Sequence, residues 1–313
     1  MTILNHLVQN ILQLKENAMP LKIHPINYGN ITMDSSGLVL FRNPGVLTTI
    51  PTLGFLITGG EEPLLVDTGS RNSEQYAAFG MVHDRTKEMT IEHHLAQHGL
   101  KMKDIRHVIH THVHIDHSGQ DYLFPMSTTV MMSRRELEFA ASGLMGPGMY
   151  TAVETKHLID RLYTRGALRL FDVDGTFEEE IIPGVAVRLS GGHTPGSISI
   201  LVETDEGLAN IAGDIAYHLG DQLITPLLDQ AAHEPTITGN HAMSTLQEKQ
   251  AIKRALSGTR FLLISHDSPA LISGGKVVGR FDGAIDNPKA DVTTAASYDL
   301  LARPQLADEI EAA

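Results

Sequence analysis

An apolar strand that runs straight into His112-Val113-His114-Ile115-Asp116-His117 limits this chain more than any other stretch of it. Residues 105–119, IRHVIHTHVHIDHSG, read as a strand followed by a loop. Three imidazoles and a carboxylate therefore gather where buried backbone gives way to Ser118-Gly119. Packing such groups beside a buried strand end is costly unless something binds them, so a merely solvated, His-rich loop carries little weight. If the strand persists, alternation sends His112 and His114 to one side. The turn that follows can swing Asp116 and His117 around a neighbouring point. One short segment can then serve two metal positions.

Filling two such positions takes donors from elsewhere. The chain has no cysteine, which removes disulfides, a thiol nucleophile and thiolate ligands, so any ion is held by His and carboxylate. There are 17 histidines, but abundance says little and spacing decides. Gly192-His193-Thr194-Pro195-Gly196 puts a histidine in a tight turn before a strand, Asp214 ends a hairpin, and His266 follows the apolar run FLLIS. Alone, each reads better as a turn histidine, a strand-end aspartate or a surface histidine. Beside the 112–117 segment they read as ligands.

The 313 residues, 42% hydrophobic and 19% charged, suit a globular chain with a substantial core. FLITGGEEPLLVDTGS (55–70) has the hairpin pattern and ends its second run in Asp67, and residues 198–214 repeat that pattern toward Asp214. FLLISHDS (261–268) likewise echoes VIHTH (108–112). Two βα halves facing each other, their strand ends meeting at one site, follow from this. A helix is expected near 90–98, with Thr90 as N-cap and Gly99 as stop. SRRE (133–136) and TAVE (151–154) both fit capping boxes, the second helix ending near Gly166. Residues 1–20 read as an amphipathic helical extension, with Ile3, Leu7, Ile11 and Leu14 three or four apart. Residues 21–275 read as the catalytic domain and 276–313 as a partly loose C-terminal extension, with no linker dividing the chain.

Composition narrows the partners. The net charge of −13 argues against a non-specific grip on nucleic acid or anionic lipid. No run approaches the roughly 20 apolar residues that span a bilayer, and the start lacks a basic n-region, so a cytoplasmic protein with no membrane or nucleic-acid partner is expected. FAASGLMGPGMY (139–150) is rich in Gly and Met; it suits an adaptable pocket wall, ordinary core packing or a homodimer contact.

The ordered set VDTG, THVHIDH, GGHTPG, GD and SHD, spread over residues 55–268, resembles the metallo-β-lactamase superfamily. The resemblance implies an α/β chain folded as an αββα sandwich of two mixed β-sheets flanked by helices. It implies one metal held by His112, His114 and His193, a second held by Asp116, His117 and His266, Asp214 bridging them, and Asp67 orienting ligand histidines. With only N and O donors, two Zn2+ per chain are the first choice, and Fe, Mn or Co are alternatives. Missing cysteine and the bridging Asp214 argue against antibiotic-cleaving members; glyoxalase II, phosphodiesterases, RNase Z and lactonases are favoured. Gly213-Asp214-Ile215-Ala216-Tyr217 is similar to the N-acyl-homoserine lactone lactonases, in which this tyrosine leans over the metals and hydrogen-bonds the lactone; the bland reading of Tyr217 is an aromatic closing a strand. SHD at 265–267 is similar to the lactonase GHD. What is expected is a binuclear hydrolase of a small lactone or ester, with Asp116 as proton shuttle and Tyr217 as hydrogen-bond donor. The rivals are a glyoxalase II-like thioesterase, another small-ester or xenobiotic metallohydrolase, a phosphodiesterase (disfavoured by the lack of a Lys/Arg cluster) and an iron-dependent oxidoreductase.

Overall fold

A computed structural model of the chain describes residues 20–143, 149–228, 234–239 and 243–280. All but Pro20 of the expected N-terminal helix, the centre of the Gly/Met stretch at 139–150 and the chain beyond Arg280 lie outside the described residues.

The hairpins form where turn residues interrupt apolar runs. β2 (Leu47–Thr58) folds back through Gly59 onto β3 (Leu64–Val66), pairing Phe55 with Val66 and Ile57 with Leu64. β10 (Ile198–Thr204) folds back onto β11 (Gly207–Ile211), pairing Ile200 with Ile211. Around β2 and β3 lie β1 (Lys22–Asp34), β4 (Val82–Asp84), β5 (His107–Ile109), β6 (Thr129–Ser133) and β7 (Leu168–Phe171), in the order β4-β1-β2-β3-β5-β6-β7. Around β10 and β11 lie β8 (Glu179–Ile182), β9 (Val185–Leu189), β12 (Phe261–Leu263), β13 (Ala270–Ser273) and β14 (Lys276–Arg280), in the order β14-β13-β12-β11-β10-β9-β8. Both sheets are mixed. The first five residues of the segment expected as a C-terminal extension form β14 at the sheet edge.

Alternation along the strands sorts the core into layers. Leu53, Phe55 and Ile57 of β2 meet Val185, Val187, Ile198 and Ile200 of the opposite sheet in the inter-sheet core. The other face of the first sheet, with Leu56, Leu65, Val108 and Val130, packs against α1 (Ile91–Gln97), α3 (Arg134–Ser142) and α4 (Ala152–Leu162) through Leu95, Leu137 and Leu158. The outer face of the second sheet, with Leu262, Ile264 and Ile272, packs against α5 (Thr245–Leu256) through Ala251, Ile252 and Ala255. Each fully buried Leu, Ile or Phe contributes roughly 1.5–3 kcal/mol. The result is the expected αββα sandwich. The remaining labelled helix, α2 (Ile115–Ser118), is a single turn at the site. No helix among the described residues is long and apolar enough to cross a membrane.

Helix starts are where the sequence places them, with a difference in how they are capped. Thr90 Oγ1 accepts the His93 amide at 3.3 Å, and Gly99, at φ +71°, ends the turn after α1. Ser133 Oγ accepts the Glu136 amide at 3.1 Å, but the Glu136 carboxylate does not return to Ser133; it accepts bonds from Val113, Tyr150 and Thr194. Thr151 makes no side-chain cap, and the Glu154 carboxylate accepts from Arg71 Nε at 2.7 Å instead. Both glutamates are buried. A buried carboxylate is held by its best donors, and here those come from other parts of the fold.

Parallel pairing decides where the chemistry collects. β3 runs parallel to β5, β5 to β6, and β11 to β12, so their C-terminal ends emerge on one edge. Beyond those ends come Asp67, the 110–117 segment, the start of α3, Asp214 and His266. β9 and β10 pair antiparallel beside β11, which brings their connection, with His193, to the same edge. The crevice beyond strand carboxyl ends is the usual ligand position of α/β sheets.

Candidate metal centre

His112, His114 and His193 offer donor atoms that all lie within 4.8 Å of one another. His112 Nε2 sits 3.0 Å and His193 Nε2 3.1 Å from His114 Nδ1. All three side chains are buried. Burial, reinforced by the neighbouring imidazoles, pushes His112 and His114 well below the usual histidine range. Burial also takes His193 down to about 4. At neutral pH the trio is therefore uncharged, the form that coordinates a cation.

Asp116, His117, Asp214 and His266 form a second buried group. His266 Nε2 lies 3.2 Å from Asp214 Oδ2 and 3.3 Å from Asp116 Oδ2, while His117 Nε2 lies 3.3 Å from Asp214 Oδ1. Burial alone would raise both carboxylates, but the His266 and His117 imidazoles outweigh it, holding Asp214 well below the carboxylate range and Asp116 at about 2. Burial likewise opposes charge on the imidazoles, yet the carboxylates carry His266 up to about 10 and His117 well above its usual value. Asp214 Oδ2 also lies 3.7 Å from His193 Nε2 and 3.8 Å from His112 Nε2. It stands between the two groups, where a bridging ligand would.

The donor set fits two divalent cations. Asp116 Oδ1 is buried with no hydrogen-bond partner among the described residues, and the second group balances its carboxylates with imidazolium protons that a cation can replace. The far sides of two rings are fixed. Asp67, at φ +60°, accepts the Thr111 amide at 2.9 Å, the Thr111 hydroxyl at 2.8 Å and His117 Nδ1 at 2.9 Å. His266 Nδ1 donates to the Pro51 carbonyl at 2.7 Å. Each bond turns an Nε2 inward and sets its tautomer, the work expected of residues behind metal ligands.

A sequence model of the metallo-beta-lactamase superfamily matches residues 47–256, more than half of the chain. The chain belongs to the metallo-β-lactamase superfamily. It is similar to an N-acyl homoserine lactonase of Bacillus cereus, 28% identical over 206 residues that cover 63% of this chain and 76% of that protein. It is also similar to N-acyl homoserine lactonase AttM of Azorhizobium caulinodans, 24% identical over 276 residues that cover 84% of this chain and 99% of that one. Among solved structures, an N-acyl homoserine lactone hydrolase with N-hexanoyl-L-homoserine bound at its catalytic metal center shares the fold, with a TM-score of 0.62 at 22% identity, covering 80% of this chain and 94% of that one. AidC, a dizinc quorum-quenching lactonase, does so at a TM-score of 0.59 and 15% identity, over 82% of this chain and 92% of that one.

Within this superfamily fold, Tyr217 reaches the same centre. Its hydroxyl donates to Asp214 Oδ2 at 2.9 Å, and its ring stacks on His266 at 4.8 Å with 5° between planes. Gln222 Oε1 accepts the backbone amides of Tyr217 and His218, and Asp267 Oδ2 accepts that of Leu219, so the segment bearing the ring is tied down. Sequence reasoning passed over His110, Asp121 and Glu136. His110 is buried between Asp67 and Asp121, with Nε2 2.9 Å from Asp121 Oδ2; burial opposes its charge, but the two carboxylates raise it to about 9. His110 adjoins the 112–117 segment and Asp121 follows it closely, a nearness that was the available signal for both. For Glu136 it was the capping motif, read only locally.

Proposed function

We propose that the protein is a lactonase with two metal ions, zinc the first choice, that opens the ring of N-acyl-homoserine lactones and so quenches acyl-lactone signalling. One observation carries this: two buried donor groups meet at Asp214, and the Tyr217 hydroxyl rests on that same carboxylate. The relatives named N-acyl homoserine lactonase support the substrate class.

His112, His114 and His193 would hold one ion and Asp116, His117 and His266 the other, with Asp214 shared. Ions bound there supply Lewis acidity toward the ester carbonyl and lower the pKa of water toward ~7. In the overall reaction, water oxygen joins the lactone carbonyl carbon, the acyl C–O bond breaks, and the ring oxygen leaves with a proton as the hydroxyl of a hydroxy acid. Asp116, buried in the second donor group with its Oδ1 free of hydrogen bonds among the described residues, would be the group that passes a proton from water to the leaving oxygen. The Tyr217 O–H is placed to exchange its bond to Asp214 for one to the substrate, stabilising negative charge as it develops.

The test is acid release by the zinc-loaded protein over short- and long-chain N-acyl-homoserine lactones, with a glutathione thioester and a phosphodiester as controls. Lactone turnover well above both controls is expected. Turnover of a control with none of the lactones would overturn the proposal.

A further inference from the structure

Behind the donors sit two buried carboxylates that do not face the centre. Asp67 holds His117 of the four-donor group directly and touches His112 only through the Thr111 hydroxyl, which lies 3.2 Å from His112 Nδ1. The other is Glu136, in the first turn of α3, with a relative exposure of 0%. Its Oε1 accepts the amide of Val113 at 3.0 Å, and Val113 is the residue between His112 and His114. The same oxygen accepts the Tyr150 hydroxyl at 2.9 Å, and the Tyr150 ring packs edge-on against His114 with centroids 4.6 Å apart. Its Oε2 accepts the hydroxyl of Thr194, next to His193, at 2.6 Å. The start of α3 grips the same turn again, since Ser133 Oγ donates to the Gly196 carbonyl. All three histidines of the first group are thus tied, through an adjacent residue, to one side chain. The 112–114 segment follows a strand of the first sheet and the 190–197 connection belongs to the second, so Glu136 spans the two.

We infer that Glu136 is the positioning residue of the three-histidine half: it holds the His112–His114 segment and the His193 turn in register so that their nitrogens converge. The inference rests on the proposal that these histidines take up an ion. An anionic acceptor with three donors is a strong anchor in a dry interior. Removing it takes the acceptor from the Val113 N–H and the Tyr150 hydroxyl and leaves the Thr194 hydroxyl tied only to Ser197 within its own turn, and residues behind metal ligands typically govern ~10–100-fold in affinity. The donors to Glu136 adjoin the three-histidine group, Val113 beside His112 and His114, Tyr150 against His114 and Thr194 beside His193, so the effect is largest for the ion of that group.

Zinc uptake by the metal-stripped full chain, measured by competition with a chromophoric chelator, tests this. Wild type takes up two ions. Glu136→Ala keeps its circular dichroism and its affinity for one ion, and binds the other ~10–100-fold more weakly. Glu136→Gln keeps an acceptor for Val113 and Tyr150 and recovers most of the loss. Adding Glu136→Ala to His193→Ala costs the remaining ion nothing further, which a general loosening of the fold would not spare. If Glu136→Ala does not fold, Thr194→Val decides: it removes the hydroxyl that links Glu136 to the His193 turn, together with that hydroxyl's bond to Ser197 inside the turn, and a several-fold loss of the same ion is expected. Two ions at wild-type affinity in whichever variant folds would overturn the inference. A wild-type protein that takes up no ion would instead overturn the proposed function.

Discussion

Asp214 draws its weight from its neighbours: imidazoles of both groups lie within 4 Å of it, His266 and His117 on one side and His193 and His112 on the other. Asp214→Ala should abolish lactone turnover and lower the zinc content measured by mass spectrometry. It should also cost the metal-free protein on the order of 3–5 kcal/mol in urea unfolding, since buried imidazolium charges lose a partner. Full activity with two ions in this variant would sink the two-metal centre. Tyr217→Phe deletes only a hydroxyl; zinc should remain while turnover falls by up to ~100-fold. The histidines make pH a further probe. In the metal-free protein the first group is neutral at pH 7, with His193 at about 4, whereas His266 at about 10 keeps its proton. A histidine raised on folding contributes stability that is complete below its unfolded value near ~6.5 and lost as pH climbs through the folded value. One lowered on folding acts oppositely, because below ~6.5 only the unfolded chain takes its proton. The thermal midpoint of the metal-free protein should therefore peak near neutral pH and drop on both sides. A midpoint still rising at pH 9 would contradict the assignment of protons to His117 and His266.

At the scale of elements, hairpins were readable because a period-two apolar pattern and a turn are both local. The ends at Asp67 and Asp214 follow from them directly. The helix starts at Ser133 and Thr151 were readable for the same reason, but the destinations of Glu136 and Glu154 were not. Nothing near residue 136 announces that the Val113 amide and the Thr194 hydroxyl will arrive beside it; that depends on β5 and β6 lying parallel and on the 190–197 connection folding over them. The Pro51 carbonyl, which fixes His266 from 215 residues away along the chain, was hidden in the same way. The contact between the His193 turn and α3 can be tested at Gly196. A Cβ there would come within 2.2 Å of the Glu136 amide nitrogen and 2.3 Å of its Cα, so backbone must move. Gly196→Ala should destabilise the protein by ~1–3 kcal/mol and weaken one of the two zinc ions. Wild-type unfolding and wild-type zinc content together would show that the turn and the helix do not depend on each other.

Over the whole molecule, the donors divide between the sheets: residues 112–117 follow β5 of the first, while His193, Asp214 and His266 follow strands of the second. The sandwich was legible from the order of five short motifs, whereas the long β1, with β4 on its outer edge, left no such mark in the sequence. Donors split in this way converge only when the sheets are docked, so an ion bound by them binds the folded chain and not the unfolded one. At free zinc ~100-fold above the dissociation constant, each site should then add about 2.7 kcal/mol. For a chain of 313 residues that is a rise of roughly 4 °C in thermal midpoint per ion. The rise should grow with zinc concentration, disappear with a chelator, and shrink in His193→Ala and His266→Ala. It should also widen between pH 6.5 and 9: over that span the unfolded chain releases its histidine protons while the metal-free fold still holds those on His117 and His266, so the metal-free fold loses stability, whereas cations face less competition from protons for the same nitrogens. Differential scanning calorimetry with and without zinc at the two pH values measures this directly. A zinc-induced rise that narrowed toward pH 9 would mean that cations and protons are not competing for His117 and His266.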